Sequence, residues 1–283
     1  MSGAASEVGK LVLVGTPIGN REDLSPRARR ALVEADLLLC EDTRSPSRLL
    51  PDAALPERIS CFVGNEAERV ELLRARLHAG QTVAFVSEAG LPVWSDPGRL
   101  LVAAAIEAGA EVDVIPGPTA GTCALAASGF VAEGARFWGF IPRSGKARTE
   151  VLEAIAGDAG AAVIYEAGNR AQGLVRDLAA CVGGRRVVIA RELSKVHQEF
   201  LRGTAQELAQ RVREPLRGEV TVVVEGVEDA GAMDDGAQAA ARAVLEVMLD
   251  RSLKPRARAK ALAELTGIDG RELYARLREP DDA

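Results

Sequence analysis

The segment from Leu11 to Asn20 places a short apolar run directly before a turn rich in glycine and proline. A helical pattern with apolar residues on one side follows between Leu24 and Ala35. Strand, tight turn and helix form the unit with which α/β enzymes present backbone groups to a ligand. The turn lacks both the glycine spacing of a dinucleotide fingerprint and the Gly-Lys-Ser/Thr of a P-loop. It therefore predicts an α/β sheet with either a ligand-binding turn or a plain strand–helix connection.

Two further apolar runs end in turns of the same kind. Thr82–Ser87 runs into Glu88–Pro92, and Val112–Ile115 runs into Pro116–Ala120. The carboxyl ends of parallel strands share one edge of a sheet, and ligands bind at that edge. We therefore expect the three turns to lie together and to form a binding site.

The alternation of strand and helix patterns predicts a mostly parallel sheet, followed by a second unit whose last three strands pair in a mixed or antiparallel way. The predicted strands are 10–15, 36–41, 59–63, 82–87, 111–115, 136–140, 161–166, 186–191, 196–202 and 219–226. The predicted helices between them are 24–35, 66–79, 97–109, 119–127, 146–156, 170–181 and 204–213. We expect domains at 10–120 and 121–227, both α/β, and a helical module at 238–283.

The C-terminal segment differs in composition from the rest. An acidic, glycine-containing stretch, 227–238, is typical of a linker. Helices are predicted at 238–250, 255–265 and 269–278, and eight positive charges stand against three negative ones between Arg251 and Arg278. The last two helices are similar to a helix-turn-helix that contacts nucleic acid. The alternative is a solvated helix pair that packs on the enzyme.

The composition narrows the class of protein. The 283 residues are 47% hydrophobic and 27% charged, which indicates a globular protein. The net charge of −6 argues against a general nucleic-acid binder, and an aromatic content of 4% does not indicate a platform for base stacking. The N-terminal residues do not resemble a secretory signal and no run is long enough to span a membrane, so we expect a cytoplasmic protein. Four scattered cysteines indicate buried free thiols, and with two histidines no metal site is predicted.

Charged residues cluster where predicted strands end or begin. The clusters are Glu41–Arg44, Tyr165–Glu166 with Arg170, Arg191–Lys195 and Arg217–Glu219. These clusters are either catalytic groups or structural ion pairs. The sequence leaves both alternatives open, because both arrangements shift the pKa values of the side chains involved. His197, in a predicted strand, is a weaker candidate for a general base.

Taken together, these segments resemble the tetrapyrrole-methylase superfamily and, within it, the bacterial 16S rRNA ribose 2′-O-methyltransferases. The motifs that carry the resemblance are Gly15–Asn20, Leu24–Ala28, Glu41–Arg44, Ser95–Gly98, Pro116–Ala120, Gly139–Arg143, Tyr165–Glu166, Ala190–Lys195, Gly218–Glu219 and the tail from Leu253–Pro255 to Glu272–Tyr274. The resemblance implies two α/β domains with S-adenosylmethionine in the cleft between them, and a homodimer. It also implies methylation of a cytidine ribose 2′-hydroxyl in the decoding region of 16S rRNA. The expected partner is this rRNA within the small ribosomal subunit.

The resemblance, together with the strand-end turns, assigns the following roles. The candidates for catalysis are Glu166, Arg170, Glu192 and Lys195. The candidates for cofactor binding are Pro17, Ser87, Glu88, Ala89, Gly90, Leu91, Pro92, Pro118, Thr119, Ala120, Tyr165 and Gly218. The candidates for substrate contact are Asn20, Asp42, Arg44, Arg143, Lys254, Arg256 and Arg258.

The chain departs from the family pattern in four places. Glu88 and Leu91 stand where the family usually has Asp and Thr, and Asn169 stands where it has His. The segment Cys61–Glu66 stands where the family has a His-rich Asn-Glu segment. These changes leave two alternatives open: a small-molecule methylase of the same superfamily, or a non-catalytic RNA-binding protein on the same fold.

Overall fold

A computed structural model describes residues 8–227, 235–250 and 253–277. The chain divides into two compact units, Met1–Val227 and Glu228–Ala283. The first unit contains two five-stranded sheets, and helices form the second, in agreement with the α/β fold class and the helical tail expected from the sequence.

The first sheet is entirely parallel and has the strand order β3-β2-β4-β1-β5. Its strands are β1 (Lys10–Val14), β2 (Leu37–Cys40), β3 (Glu57–Ser60), β4 (Thr82–Val86) and β5 (Glu111–Ile115). The helices that accompany them are α1 (Pro26–Glu34), α2 (Ser45–Leu49), α3 (Glu66–His78) and α4 (Arg99–Glu107). Leu11 and Leu13 enter one apolar core while Val12 and Val14 enter another, because helices cover both faces of the sheet.

The second sheet is mixed and has the order β6-β7-β10-β8-β9. Its strands are β6 (Arg136–Phe140), β7 (Ala162–Ala167), β8 (Arg186–Arg191), β9 (Glu199–Thr204) and β10 (Glu219–Val224). Its helices are α5 (Ala120–Ser128), which connects the two sheets along the chain, α6 (Lys146–Gly157), α7 (Gly168–Cys181) and α8 (Ala205–Arg211). Strands β6 and β7 are parallel, and all pairs that involve β8, β9 or β10 are antiparallel, as predicted for the last three strands.

Two strand predictions were wrong in position. β3 occupies 57–60 instead of 59–63, because the chain turns after Ser60 and Asn65 Oδ1 accepts a hydrogen bond from Phe62 N at 2.8 Å. β9 begins at Glu199 instead of 196, so His197 lies in an exposed turn and not in a strand. That turn is closed by Ser194 N, which donates to Gln198 Oε1 at 2.7 Å. The short helix α2 was not predicted.

The second unit contains α9 (Asp235–Leu249), α10 (Pro255–Thr266) and α11 (Gly270–Arg276). Gly267 ends α10 in the left-handed region, and Asp269 caps α11 by accepting from Arg271 N at 2.7 Å. Most of the predicted linker, with Arg251 and Arg278 of the basic cluster, lies outside the described residues.

The cysteine prediction holds for two of the four residues. Cys40 and Cys61 are buried free thiols, but Cys123 is half-buried and Cys181 is exposed at the end of α7. Among the residues that the structure describes, no helix is long and apolar enough to cross a membrane. The same part of the chain has no group of side chains suited to hold a metal ion.

Candidate active site

The three glycine- and proline-rich turns meet at the carboxyl edge of the first sheet. Thr16 N donates to Gly90 O at 2.9 Å, and Gly90 N donates to Thr16 O at 3.1 Å. Gly15 lies so close to Gly117 that a Cβ on Gly15 would stand 2.5 Å from the Gly117 nitrogen. Glycine is therefore required at this contact, and the expected gathering of the turns is confirmed.

A cavity of about 420 Å³ opens beside these turns and reaches the second sheet. Of the residues predicted to bind cofactor or to do chemistry, it is lined by Glu88, Ala89, Gly90, Leu91, Thr119, Ala120, Tyr165, Glu166 and Gly218. Pro17 and Ser87 line a separate cavity of about 70 Å³, which Glu88 shares. Pro92 and Pro118 line neither cavity, although Pro118 O would stand 3.2 Å from a Cβ on Gly90.

Three carboxylates line the cavity without an ion-pair partner in the described part of the chain: Glu41, Glu88 and Asp96. Glu41 Oε2 accepts a hydrogen bond from Glu88 N at 3.3 Å. Burial raises the pKa of Glu41, and the charge of Glu88 adds to that rise. The pKa of Asp96 is raised to about 6, mainly by burial and further by the charges of Glu41 and Glu88. The hydrogen bond with Ser87 opposes this rise. The three carboxylates therefore bring negative charge to one part of the cavity, which would favour a bound cation.

The loop that carries Asp96 is fixed from behind by a buried carboxylate. Glu66 Oε1 accepts from Gly98 N at 3.0 Å and from Leu100 N at 2.7 Å, and so satisfies free donors at the start of α4. Glu66 is only 8% exposed. It is therefore a positioning residue for this loop.

Glu166 lies at the end of β7 and is 3% exposed. Its Oε1 accepts from Ala167 N at 2.8 Å and from Arg170 Nε at 2.6 Å, and it also forms an ion pair with Arg170 Nη2. All of these hydrogen bonds end on Oε1, so Oε2 is the oxygen available to a ligand. Arg170 itself does not line the cavity.

Glu192 and Lys195 do not line the cavity and are paired with each other. Lys195 Nζ donates to Glu192 Oε1 at 3.0 Å and to Glu219 Oε2 at 2.8 Å, while Glu219 N donates to Glu192 Oε1 at 2.9 Å. The pKa of Glu192 is lowered, chiefly because Glu219 N donates a hydrogen bond to its carboxylate. Burial opposes this shift, and Lys195 adds to it. This network joins the 192–195 turn to the start of β10.

Aromatic rings gather at the cavity, contrary to the expectation from composition. Trp94 stacks on Phe137 with ring centres 4.7 Å apart, and Tyr165 meets Phe137 and Phe140 edge-on at 4.8 and 5.7 Å. Tyr165 Oη accepts from Gly121 N at 2.9 Å. Composition could not show this cluster, because the fold brings together rings from three separate segments of the sequence.

The residues predicted to contact substrate lie outside the cavity. Asn20 caps a short 3₁₀ turn and donates its N–H to Ser194 Oγ at 3.2 Å. Asp42 pairs with Arg44 at 2.8 Å, and Arg143 is exposed. Arg44 lies in an open groove of about 660 Å³ together with Arg48 and Arg58.

In the helical unit, Lys254 and Arg256 are exposed at the start of α10. Arg258 is half-buried, and its Nη2 donates to Leu253 O at 3.5 Å and to Asp250 O. It therefore holds the α9–α10 connection and is less free to meet a phosphate than its two neighbours.

Sequence reasoning did not assign Asp96, Trp94 or Phe140 to the site, although all three line the cavity. Asp96 stands inside the Ser95–Gly98 motif, which was used for the family resemblance and as the start of a helix but not as part of the site. The adjacent Pro97 and Gly98 are typical of a turn and could have pointed to it. Glu41 was noticed only as part of a charged cluster.

Comparisons with known proteins agree with this geometry. A family model described as Tetrapyrrole (Corrin/Porphyrin) Methylases matches residues 10–209. Ribosomal RNA small subunit methyltransferase I of Thermotoga maritima is 43% identical over 224 residues, which covers 78% of this chain and 100% of the relative. The protein of the same name from Micromonospora olivasterospora is 38% identical over 273 residues, or 95% of this chain and 87% of the relative.

A solved structure shares the fold of the first unit. Uroporphyrin-III C-methyl transferase from Thermus thermophilus, complexed with S-adenyl homocysteine, has a TM-score of 0.53 and 21% identity, and the match covers 76% of this chain and 97% of that one. The family model alone spans most of the chain, and two relatives exceed a third identity over most of their length. This chain therefore belongs to the tetrapyrrole (corrin/porphyrin) methylase family.

Proposed function

We propose that this chain is an S-adenosylmethionine-dependent methyltransferase that modifies the ribose 2′-hydroxyl of a cytidine in 16S rRNA. Its relatives named ribosomal RNA small subunit methyltransferase I support the substrate class. The observation that carries the proposal is the cavity with three unpaired carboxylates on one side and Glu166 on the other.

The cavity residues fit the cofactor in size and charge. A volume of about 420 Å³ lies within the range of pockets that enclose one molecule of this size. S-adenosylmethionine carries a sulfonium and an ammonium, and Glu41, Glu88 and Asp96 supply negative charge that no side chain of the described residues neutralises. The backbone of Glu88–Leu91 and Thr119–Ala120, with Tyr165 and Gly218, would hold the rest of the molecule.

When bound, the cofactor would supply a methyl group to the ribose oxygen and leave as S-adenosylhomocysteine. Glu166 Oε2 would accept a hydrogen bond from the ribose hydroxyl and take up its proton. Arg170 and Ala167 N hold Oε1, so the carboxylate cannot rotate away. Fixing this geometry lowers the barrier because the reacting atoms are already aligned.

We assign RNA affinity to surfaces outside the cavity. Arg44, Arg48 and Arg58 around their open groove, and Lys254 and Arg256 in the helical unit, carry exposed or groove-lining positive charge. Such groups bind phosphates without reading sequence. We retain the division into 10–120, 121–227 and 238–283, with the last segment supplying affinity and not chemistry.

Ending the chain at Val227 tests this division. Val227 is kept because its N–H donates to Asp158 O at 2.9 Å. RNA affinity should fall. The slope of the logarithm of the binding constant against the logarithm of the salt concentration should become shallower by roughly 0.7 to 0.9 for each lost phosphate contact. Cofactor affinity should not change. Equal RNA binding by both forms would make the helices structural, and loss of cofactor binding would move the boundary.

We also propose that the protein acts in the cytoplasm as a homodimer on the small ribosomal subunit, since twofold homodimers are the commonest assembly. Light scattering should give about twice the chain mass of 29.8 kDa. A monomer at micromolar concentration would contradict the dimer.

The deciding experiment is transfer of a labelled methyl group from S-adenosylmethionine to 30S subunits, to free 16S rRNA and to a tetrapyrrole. Label in the ribose of one cytidine, located by nuclease digestion, supports the proposal. Label on the tetrapyrrole alone, or cofactor binding without transfer to RNA, contradicts it. Glu166→Gln should lower kcat by about 100-fold while the Kd for cofactor stays within twofold, because the change removes one well-placed acceptor.

A further inference from the structure

The aromatic lip, defined as Trp94, Phe137, Phe140 and Tyr165, is produced by an irregularity in β6. Phe137 and Phe140 would point to opposite faces of a regular strand, because their separation is an odd number of residues. The pairing of β6 with β7 shifts between Phe137 and Gly139, and Gly139 has φ of +61°. This bulge brings both phenylalanine rings against Tyr165. Bulges of this kind re-aim side chains next to functional sites.

The residues on both sides of Trp94 have an unfavourable backbone conformation. Val93 has φ of +74° and Ser95 has φ of +69°, so a residue in the left-handed region stands on each side of the tryptophan. Such a conformation is unusual for serine and a clear outlier for a β-branched valine. It persists only where the surroundings enforce it, as at ligand clamps. Val93 N donates to Pro97 O at 3.2 Å, and Glu66 fixes the end of the same loop.

The lip keeps ring surface free for a ligand. One face of Trp94 lies on Phe137, yet 43% of the residue is exposed, and Phe140 is 59% exposed. Both line the cavity that also contains Glu166, the residue next to Tyr165 on β7. Glu166 and the two rings therefore border the same cavity, so one nucleoside could contact both.

We propose that Trp94 and Phe140 bind the base of the target nucleotide, a pyrimidine turned out of its stack, at the rim of the cavity. The inference rests on the proposed function, because the cavity interior is filled by the cofactor and only the rim remains for a second nucleoside. An enzyme that acts on a ribose hydroxyl within folded RNA must expose that nucleotide, and aromatic faces compensate for the lost stacking. The surfaces to which RNA affinity was assigned above are positively charged and do not line the cavity, whereas the aromatic lip is apolar.

The first test compares Trp94→Ala, Trp94→Phe and Phe140→Ala with Ile106→Ala, a matched exposed apolar residue on α4 that is 63% exposed and does not line the cavity. We expect Trp94→Ala to raise the KM for 30S subunits about tenfold, since a base–aromatic stack is worth about that factor. Trp94→Phe should recover most of the loss. Phe140→Ala should act in the same direction, and Ile106→Ala should have no effect. The Kd for S-adenosylmethionine, measured by calorimetry, should stay within twofold in all four variants.

The outcomes separate the alternatives. A parallel rise in the cofactor Kd would assign the rings to the adenine of the cofactor, and an unchanged KM would leave Trp94 as packing between the sheets; either result overturns the proposal. Failure of the wild-type enzyme to transfer methyl groups to rRNA is a separate readout and defeats the proposed function itself.

A second test leaves the lip intact and does not depend on whether a Trp94 variant folds. The chain has two tryptophans, and Trp138 packs against the core of the second sheet. In Trp138→Phe, the fluorescence of Trp94 alone is therefore measured. Quenching by a 16S rRNA fragment that contains the target cytidine, and none by the same fragment with an abasic site there, supports the proposal. Equal response to both fragments overturns it.

Discussion

Two groups of carboxylates border the same site, and they differ in whether the protein neutralises them. Glu192 and Glu219 share Lys195, and Glu166 is bound by Arg170. Glu41, Glu88 and Asp96 have no such partner in the described residues and stand at the turns of the first sheet. In the first group Glu192 and Glu219 hold backbone segments together and Glu166 keeps one oxygen free of the ion pair, whereas the second group has no cationic partner among the described residues.

This difference explains why adjacent charges in a sequence are ambiguous. Arg191–Lys195 and Glu41–Arg44 both place residues of opposite charge together at the end of a strand. In the first cluster, the chain turns back so that lysine meets glutamate; in the second, Arg44 turns to Asp42 and leaves Glu41 without a partner. Whether a charge in such a cluster finds a partner within the protein depends on the fold and cannot be read from the order of the residues.

The largest effect is expected at the turn that carries the unpaired group. Gly90→Val should reduce cofactor affinity by more than about 100-fold, because Gly90 has φ of +82° and its Cβ would meet Pro118 O at 3.2 Å and Ile18 Cγ2 at 3.3 Å. Calorimetry measures the loss. Gly109→Val is the matched control: its φ is +70°, but nothing lies within 4 Å of its Cβ. Equal affinity in Gly90→Val and wild type would remove the cofactor from this turn.

A smaller effect separates the two groups of carboxylates directly. Glu88→Gln should weaken S-adenosylmethionine binding about tenfold and S-adenosylhomocysteine binding less, since only the former carries a sulfonium charge. Glu192→Gln should leave both affinities within twofold and lower Tm by about 3 °C, because it opens the network with Lys195. If Glu192→Gln instead abolishes turnover at unchanged Tm, the sequence-based assignment of Glu192 to catalysis is the better one.

The pH dependence of binding sharpens the comparison further. The pKa of Asp96 is raised to about 6, chiefly by burial. Below that pH the carboxyl is protonated, so a cation must displace a proton to bind; above it the negative charge is already present. Affinity for S-adenosylmethionine should therefore rise roughly tenfold from pH 5 to pH 7.5 and then level off. Asp96→Asn should flatten the curve, and an unchanged slope in that variant would assign the titration to another group.

The smallest effect is on stability without cofactor. A raised carboxyl pKa means that the folded state binds the proton more tightly than the unfolded state, so the cost of Asp96 to stability builds up as the pH rises from 3.8 to about 6 and is complete above that pH. Asp96→Asn should raise the free energy of unfolding by roughly 1 kcal/mol at pH 8, a value reduced for partial exposure, and by almost nothing near pH 4. Denaturant titration at both pH values measures the difference. A variant that is less stable at pH 8 would show that Asp96 is held by structural bonds.

Most of the fold could be predicted because its signals are local. The apolar runs at Leu11–Val14 and Thr82–Ser87 and the turns after them predicted both the parallel sheet and its binding edge. The cofactor residues at Glu88–Leu91 and Thr119–Ala120 followed from the same turns and line the cavity, although their role stays a prediction. The aromatic lip could not be predicted, because it depends on a one-residue bulge in β6 and on the meeting of Trp94 with a distant strand.

The contact between Gly15 and Gly117 constrains how this sequence can diverge. A side chain at either position strikes the backbone of the other, and a Cβ on Gly117 would stand 2.7 Å from the Gly15 Cα. Since each partner is already the smallest residue, no compensating substitution can make room. In this chain, neither position can therefore accept a side chain while the two turns stay joined.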